Sequence, residues 1–188
     1  MHRVRRRAAA AVAVAVAAGA VACGGGDEPA PVPQGFREHR TDAYTVAYPA
    51  TWRVQEGKDE RNRPFVEMNG PVNAAGAYEG QVRVGRWDRF PLAFEDQLVQ
   101  FRGLAKAAGY TIAKDTKVSI DGAARAHRFE AVYSRTTASG ATVRLAMTDT
   151  FVLTEDKVLL EFVVRSPEGA AARSRAPEIL RSFRVKGD

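Results

Sequence analysis

Three ionisable side chains stand in otherwise apolar surroundings and could support catalysis: Asp88, Asp149 and His127. The two acids interrupt strand-like stretches, and paired carboxylates can act as general acid and general base where a fold brings them together. His127 also lies in a strand-like stretch, where a position at the sheet surface is the simpler interpretation. No Cys or second His at ligand spacing accompanies His127, so the sequence predicts no metal site, and no cofactor-binding motif occurs.

A second candidate is a stripe of arginine and tryptophan. Arg83 and Trp87 share one parity in the strand-like segment Gln81–Asp88, and Arg89 follows that segment. Such a stripe can bind an anion or a sugar ring. The alternative is a solvated strand face, because long arginine stems often cover a tryptophan ring. Arg83, Trp87 and Arg89 therefore stay as candidate binding residues with both interpretations open.

Cys23 is the single cysteine of the chain. The residues before it fall into two segments: residues 2–7 are strongly basic, and residues 8–19 contain only Ala, Val and Gly. A basic segment followed by an apolar one is the order of a secretory signal peptide. The apolar run is shorter than the roughly 20 residues that span a bilayer as a helix. Residues 1–22 are therefore predicted to be an export signal.

The residues Ala20, Val21 and Ala22, followed by Cys23, resemble the lipobox of bacterial lipoproteins. In that family the cysteine thiol receives a diacylglycerol, with acyl chains such as palmitate, and the signal is cleaved before the cysteine. Ala20 departs from the Leu that is commoner at the first position. The alternative is an ordinary signal with a chance cysteine, which would leave a lone thiol without a disulfide partner. The resemblance implies a lipid anchor on the outer face of the bacterial plasma membrane.

Most of the formal charge of +6 belongs to the predicted signal, because removing its four arginines leaves about +2. Nucleic-acid binding needs a clustered basic face, and the remaining sequence does not indicate one. Residues 23–40 are rich in Gly and Pro and predict a flexible linker. Residues 41–188 are long enough to form a single domain with its own core.

The clearest helix is predicted over residues 92–108, where Phe94, Leu98, Phe101 and Ala105 form one apolar stripe. The segments that follow read as antiparallel strands joined by tight turns. A last helix is predicted to begin at Ser166-Pro167-Glu168 and to run toward Phe183, with Pro177 interrupting it. The sequence therefore predicts an α+β fold, a mainly antiparallel sheet covered by two amphipathic helices.

Two short motifs resemble those of PsbP-like domains, a group that includes Mog-type proteins and many lipoproteins of high-GC Gram-positive bacteria. One is the strand-like segment from Tyr44 to Val54, which contains Tyr48-Pro49 and Trp52. The other is Ile179-Leu180-Arg181-Ser182-Phe183 near the end of the chain. The resemblance implies a PsbP-like sandwich and a role in binding partners, by analogy of fold.

Two functions from different classes follow from these observations. The first is a binding or assembly accessory, anchored at the membrane and contacting a protein, a glycan or a lipid. The second is a cell-wall-modifying enzyme that uses the strand carboxylates or His127. We expect the first, because no nucleophile–base spacing or metal spacing occurs in the sequence.

Overall fold

The computed structural model describes residues 31–186. Within this range it contains ten strands and three helices. In chain order these are β1 (Phe36–Arg40), β2 (Tyr44–Pro49), β3 (Arg53–Lys58), β4 (Pro64–Asn69), β5 (Gln81–Trp87), α1 (Phe94–Ala107), β6 (Thr111–Val118), β7 (Arg125–Thr136), β8 (Thr142–Leu153), β9 (Leu159–Pro167), α2 (Ala171–Ser174), α3 (Ala176–Ser182) and β10 (Arg184–Val185).

A seven-stranded antiparallel sheet is the centre of the fold, with the strand order β3-β4-β5-β9-β8-β7-β6. The middle strand of this sheet is β9. It is almost continuously apolar, as expected for a strand buried on both faces. Strands β6 to β9 pair in sequence, which confirms the predicted antiparallel meander. The side chains of each strand alternate between two covered faces.

One face packs against a small sheet and the C-terminal helices. The small sheet has the order β1-β2-β10, and α3 lies beside it. The rings of Phe162 and Phe183 stack 4.2 Å apart between the layers. Ser182 Oγ accepts a hydrogen bond from the Ala47 amide at 2.9 Å. This side chain therefore takes the place of a backbone acceptor on the part of β2 that β10 does not pair with.

The other face of the large sheet is covered by α1. Phe94, Leu98 and Ala105 are buried on the inner side of the helix, as the apolar stripe predicts. The ring of Phe101 lies 4.4 Å from that of Phe129 and 5.4 Å from that of Phe151. The helix covers only part of this face, which leaves the rest of it as the floor of a groove.

The structure differs from the predicted elements at both ends. Residues 36–40, assigned to the linker by composition, form β1, because they pair along β2 and Phe36 packs against the core. The Ser166-Pro167 pair belongs to β9, since Pro167 pairs with Leu145, and it does not cap a helix. The C-terminal helix is divided into α2 and α3 at Arg175, which has a left-handed φ of 56°.

The fold class is thus α+β with a mostly antiparallel sheet, as predicted. The coverage by two helices is only loosely matched, because the small sheet shares one face with α2 and α3. That small sheet was not predicted. It depends on pairing between β2 and the distant β10, for which a two-residue strand leaves no periodic signal.

Candidate functional site

An open groove of about 540 Å³ runs between α1 and the β3–β4 hairpin. We call it the α1 groove. Its helix wall consists of Gln97, Gln100, Phe101 and Leu104. Its opposite wall is the hairpin from Lys58 to Phe65, and its floor consists of β5 and β9. Ligand-binding clefts typically have volumes of about 300–1,000 Å³, and the α1 groove falls within that range.

Gly85 lies at the centre of the floor. It pairs with Phe65 on β4 and Glu161 on β9 without a break in register, so no bulge explains the glycine. A Cβ at this position would meet only Glu161, at 3.7 Å from Oε2 and 3.8 Å from Cβ. A glycine inside a regular strand often marks the close approach of another molecule. The missing side chain at Gly85 therefore deepens the groove.

The structure brings together two of the three residues of the predicted binding stripe. Arg83 and Trp87 both line the groove, on either side of Gly85. Arg89 lies beyond β5 in a turn, with φ of 51°, and is not part of the lining. The guanidinium of Arg83 lies 4.2 Å from the centroid of the Phe65 ring, and that of Arg63 lies 4.9 Å from the Trp87 ring.

Most of the groove's cations already have partners. Arg63 forms an ion pair with Asp59, and Arg86 forms ion pairs with Asp42 and Asp88. The Arg83–Glu67 pair is longer, at 3.9 Å. Four charged lining residues form no ion pair within residues 31–186, and their charges balance: Lys58, Arg61, Glu60 and Glu161. The lining therefore has no strong net charge, but offers both donors and acceptors.

The predicted pair of strand carboxylates, Asp88 and Asp149, does not assemble. Asp149 of β8 pairs with Val163 of β9, which in turn pairs with Arg83 of β5. Asp88 lies five residues beyond Arg83 along the chain. Five residues of extended strand measure about 16 Å, so the two acids are too far apart to share a substrate atom. Asp88 is exposed and paired with Arg86.

Asp149 is instead buried on the α1 side of the sheet, only 2% exposed. Burial raises the pKa of its carboxyl well above the usual value, and the negative charge of Glu161 adds to this effect. Its Oδ1 atom has no hydrogen-bond partner among the described residues. The sequence identified Asp149 as unusual, but its neighbour Glu161 becomes apparent only from the register of β8 and β9.

His127 lies outside the groove, in contact with an acid that sequence reasoning missed. Its Nε2 is 2.6 Å from Asp115 Oδ1, and Arg102 of α1 donates two hydrogen bonds to the same carboxylate, at 2.7 and 2.9 Å. These hydrogen bonds from Arg102, together with His127, lower the pKa of Asp115 to about 2. The cluster ties α1 to β6 and β7, so a structural role explains His127.

The predicted lipid site lies outside the described residues, since Ala20, Val21, Ala22 and Cys23 all precede residue 31. In the part of the chain from Pro31 to Lys186, no helix has the length and hydropathy needed to cross a membrane. Over the same residues, no three His, Cys, Asp or Glu side chains are grouped so that they could hold a metal ion.

Comparison with known proteins gives similarity of structure only. No protein-family model matches the chain, and no curated protein matches it significantly. Among solved structures, the chain is similar to PA94 of Pseudomonas aeruginosa, a protein of unknown function, with 12% identity and a TM-score of 0.50 over 78% of this chain and 94% of that one.

Two further solved structures are more loosely similar. The Ran-binding protein Mog1p of Saccharomyces cerevisiae has 13% identity and a TM-score of 0.48, over 81% of this chain and 96% of that one. LpqN of Mycobacterium tuberculosis, which is involved in cell envelope biogenesis, has 13% identity and a TM-score of 0.41, over 83% of this chain and 81% of that one. The similarity to PA94 concerns the fold alone, and the looser ones decide nothing about function.

Proposed function

We propose that this chain is a lipid-anchored protein of the outer face of the bacterial plasma membrane that acts as a binding or assembly accessory. Its binding site is the α1 groove, and its partner is a segment of another protein. The anchor is proposed from the signal-like residues 1–22 and from Cys23. The binding role is supported by the resemblance of the Tyr44–Val54 segment to PsbP-like domains, many of which bind partners.

The observation that carries the binding proposal is Gly85. A strand residue without a side chain weakens a sheet, and β5 has no bulge or turn here that would require one. The side chains around it belong to types that are common at protein interfaces, namely arginine and aromatic residues. Leu104, at the rim, is 64% exposed and offers an apolar contact.

The groove suits a polypeptide segment better than a lipid chain or a sugar. An acyl chain on this floor would remove water from the charged groups of Glu161 and Arg83, which is costly without new partners. A sugar ring would compete with the guanidinium groups of Arg63 and Arg83 for the Trp87 and Phe65 rings. A polypeptide brings donors, acceptors and charges of both signs, which match the mixed lining.

Photocrosslinking in cells tests this role. A photoreactive residue at Gln100, which lines the groove, is compared with one at Val99, which is 63% exposed and does not line it. We expect a discrete protein adduct from position 100 that is absent from position 99. Gly85→Val should abolish the adduct, and circular dichroism verifies that the variant keeps its fold, since there is room for a Cβ at this position. Equal adducts at both positions, or an adduct that survives Gly85→Val, would refute the proposal.

A cell-wall-modifying enzyme is the second candidate, and one observation favours it. Glu161 faces the groove, and burial raises the pKa of the neighbouring Asp149, so an acid with a raised pKa lies beside a second carboxyl, the arrangement that an acid–base pair uses. Asp149 is buried, however, and does not line the groove. Hydrolase activity abolished by Asp149→Asn or His127→Ala would favour the enzyme over the binding role.

A further inference from the structure

A second, smaller cavity of about 170 Å³ lies beside the loop of residues 76–78 and the β7–β8 turn. We call it the arginine pocket, after Arg135 of β7 and Arg165 of β9, which both line it. Its apolar wall is formed by Val143 and Leu145 of β8. It shares no lining residue with the α1 groove.

The strand register places the two arginines on one face of the large sheet. Arg135 pairs with Val143, and Arg165 pairs with Met147, so both side chains lie on the parity of Leu145, which stands between these positions on β8. Tyr133 pairs with Leu145 and lies close enough to both arginines to be affected by their charges. Burial raises the pKa of its phenol, and the charges of Arg165 and Arg135 both act against that rise. Two guanidinium groups therefore face one small space.

No carboxylate neutralises this pair. The lining of the pocket contains no Asp or Glu, and neither Arg135 nor Arg165 forms a salt bridge within residues 31–186. Arg165 Nη1 donates to Gln81 Oε1 at 3.3 Å, whereas its Nε is buried without an acceptor there. The charge of Arg165 acts on the buried Asp149 and opposes the rise in the pKa of that carboxyl, but the two side chains form no salt bridge. Guanidinium groups without a carboxylate partner can bind an oxyanion through charge-assisted hydrogen bonds.

The wall of the pocket is held by hydrogen bonds within the protein. Thr137 Oγ1 and Ser139 Oγ both donate to the Ala75 carbonyl, at 2.7 and 3.0 Å. Asn73 Oδ1 accepts from the amides of Ala75 and Ala77, at 3.0 and 3.1 Å. The loop is therefore fixed against the β7–β8 turn before any ligand binds, which lowers the entropy cost of binding.

We infer that the arginine pocket is a binding site for an oxyanion, a carboxylate or a phosphate group, carried on a small ligand whose apolar part lies against Val143 and Leu145. Arginine recognises both groups through paired N–H donors. The volume of about 170 Å³ admits the charged group and a few further atoms, but not a large ligand. This site is separate from the proposed protein-binding groove and does not depend on that proposal.

Calorimetric titration of the full chain in detergent, at constant ionic strength, tests the inference with inorganic phosphate and butyrate as separate probes. We expect saturable binding of at least one probe, and the tighter one identifies the preferred oxyanion. Arg135→Gln should weaken it by about tenfold or more, the loss expected for one charge-assisted hydrogen bond. Arg135 is exposed, so this variant should keep its fold, as circular dichroism can verify.

The matched control is Arg144→Gln, which removes an exposed arginine of β8 that pairs with Glu168 and does not line the pocket. Its affinity should equal that of the wild type, as should that of Gly85→Val in the α1 groove. Absence of binding of both probes would overturn the inference. So would equal affinity in Arg135→Gln, or an equal loss in Arg144→Gln, which would indicate general charge attraction.

Discussion

The guanidinium of Arg63 lies over the indole of Trp87, with 4.9 Å from its Cζ to the ring centroid. The same guanidinium donates from Nε to Asp59 Oδ2 at 2.6 Å. Arg63 therefore joins the β3–β4 turn to β5 across the end of the α1 groove. This contact adds to the β4–β5 pairing that already holds the hairpin wall in place.

Arg63→Ala should lower the free energy of unfolding by about 1–2 kcal/mol, through loss of a partly buried cation–π contact and of the bond to Asp59. Arg61→Ala is the control, because Arg61 is exposed and forms no ion pair in the described part of the chain. It should change stability by less than about 0.5 kcal/mol. Denaturant unfolding measures both, and equal effects would mean that the contact with Trp87 contributes nothing.

Phe101→Ala tests the packing of α1 on the large sheet. The ring touches those of Phe129 and Phe151 and is partly buried, so we expect a loss of about 3 kcal/mol, the lower end for Phe→Ala in a core. Leu104→Ala, on the same helix but 64% exposed, should cost less than about 0.5 kcal/mol. If urea unfolding gave a loss near zero for Phe101→Ala, α1 would not pack as described.

The helix α1 could be predicted because four apolar residues repeat at helical spacing, and Arg83 and Trp87 could be predicted as neighbours because strand parity is local. Other features depend on pairing between distant strands, which no local pattern encodes. The contact of Glu161 with the Gly85 position requires the register of β5 and β9. The arginine pocket needs three strands in register, so neither Arg135 nor Arg165 stood out in the sequence.

Asp149 should make stability depend on pH in the direction opposite to that of a salt-bridged acid. Its folded pKa is raised above the unfolded value of 3.8, so its favourable contribution is complete below pH 3.8 and is lost as pH rises through the folded pKa. Asp149→Asn removes this titration. The unfolding free energy of the variant relative to wild type should therefore rise with pH above about 4.

Unfolding curves measured from pH 4 to pH 9 check this expectation, with Asp88→Asn as an exposed control. The control removes one exposed carboxyl from the same sheet, so a rise shared by both variants would not be due to the burial of Asp149. A difference between Asp149→Asn and wild type that stayed constant, or that fell as pH rose, would show that the Asp149 carboxyl is not held protonated by the fold.

Membrane attachment through Cys23 is the claim on which the proposed function depends. Each buried methylene of an acyl chain contributes about 0.8 kcal/mol, and two chains hold a protein firmly where one does not. Cys23→Ala should release the chain from the membrane fraction or leave it as uncleaved precursor. The folded domain should be unaffected, because the sequence has no other cysteine for a disulfide.

Mass spectrometry of the mature N-terminus, after expression of the full chain in a bacterial host, is the most direct measurement. We predict a chain that begins at Cys23 and carries a diacylglyceryl group on the thiol. An unmodified thiol at Cys23, or an N-terminus at another residue, would contradict the lipid anchor and leave an ordinary secreted protein.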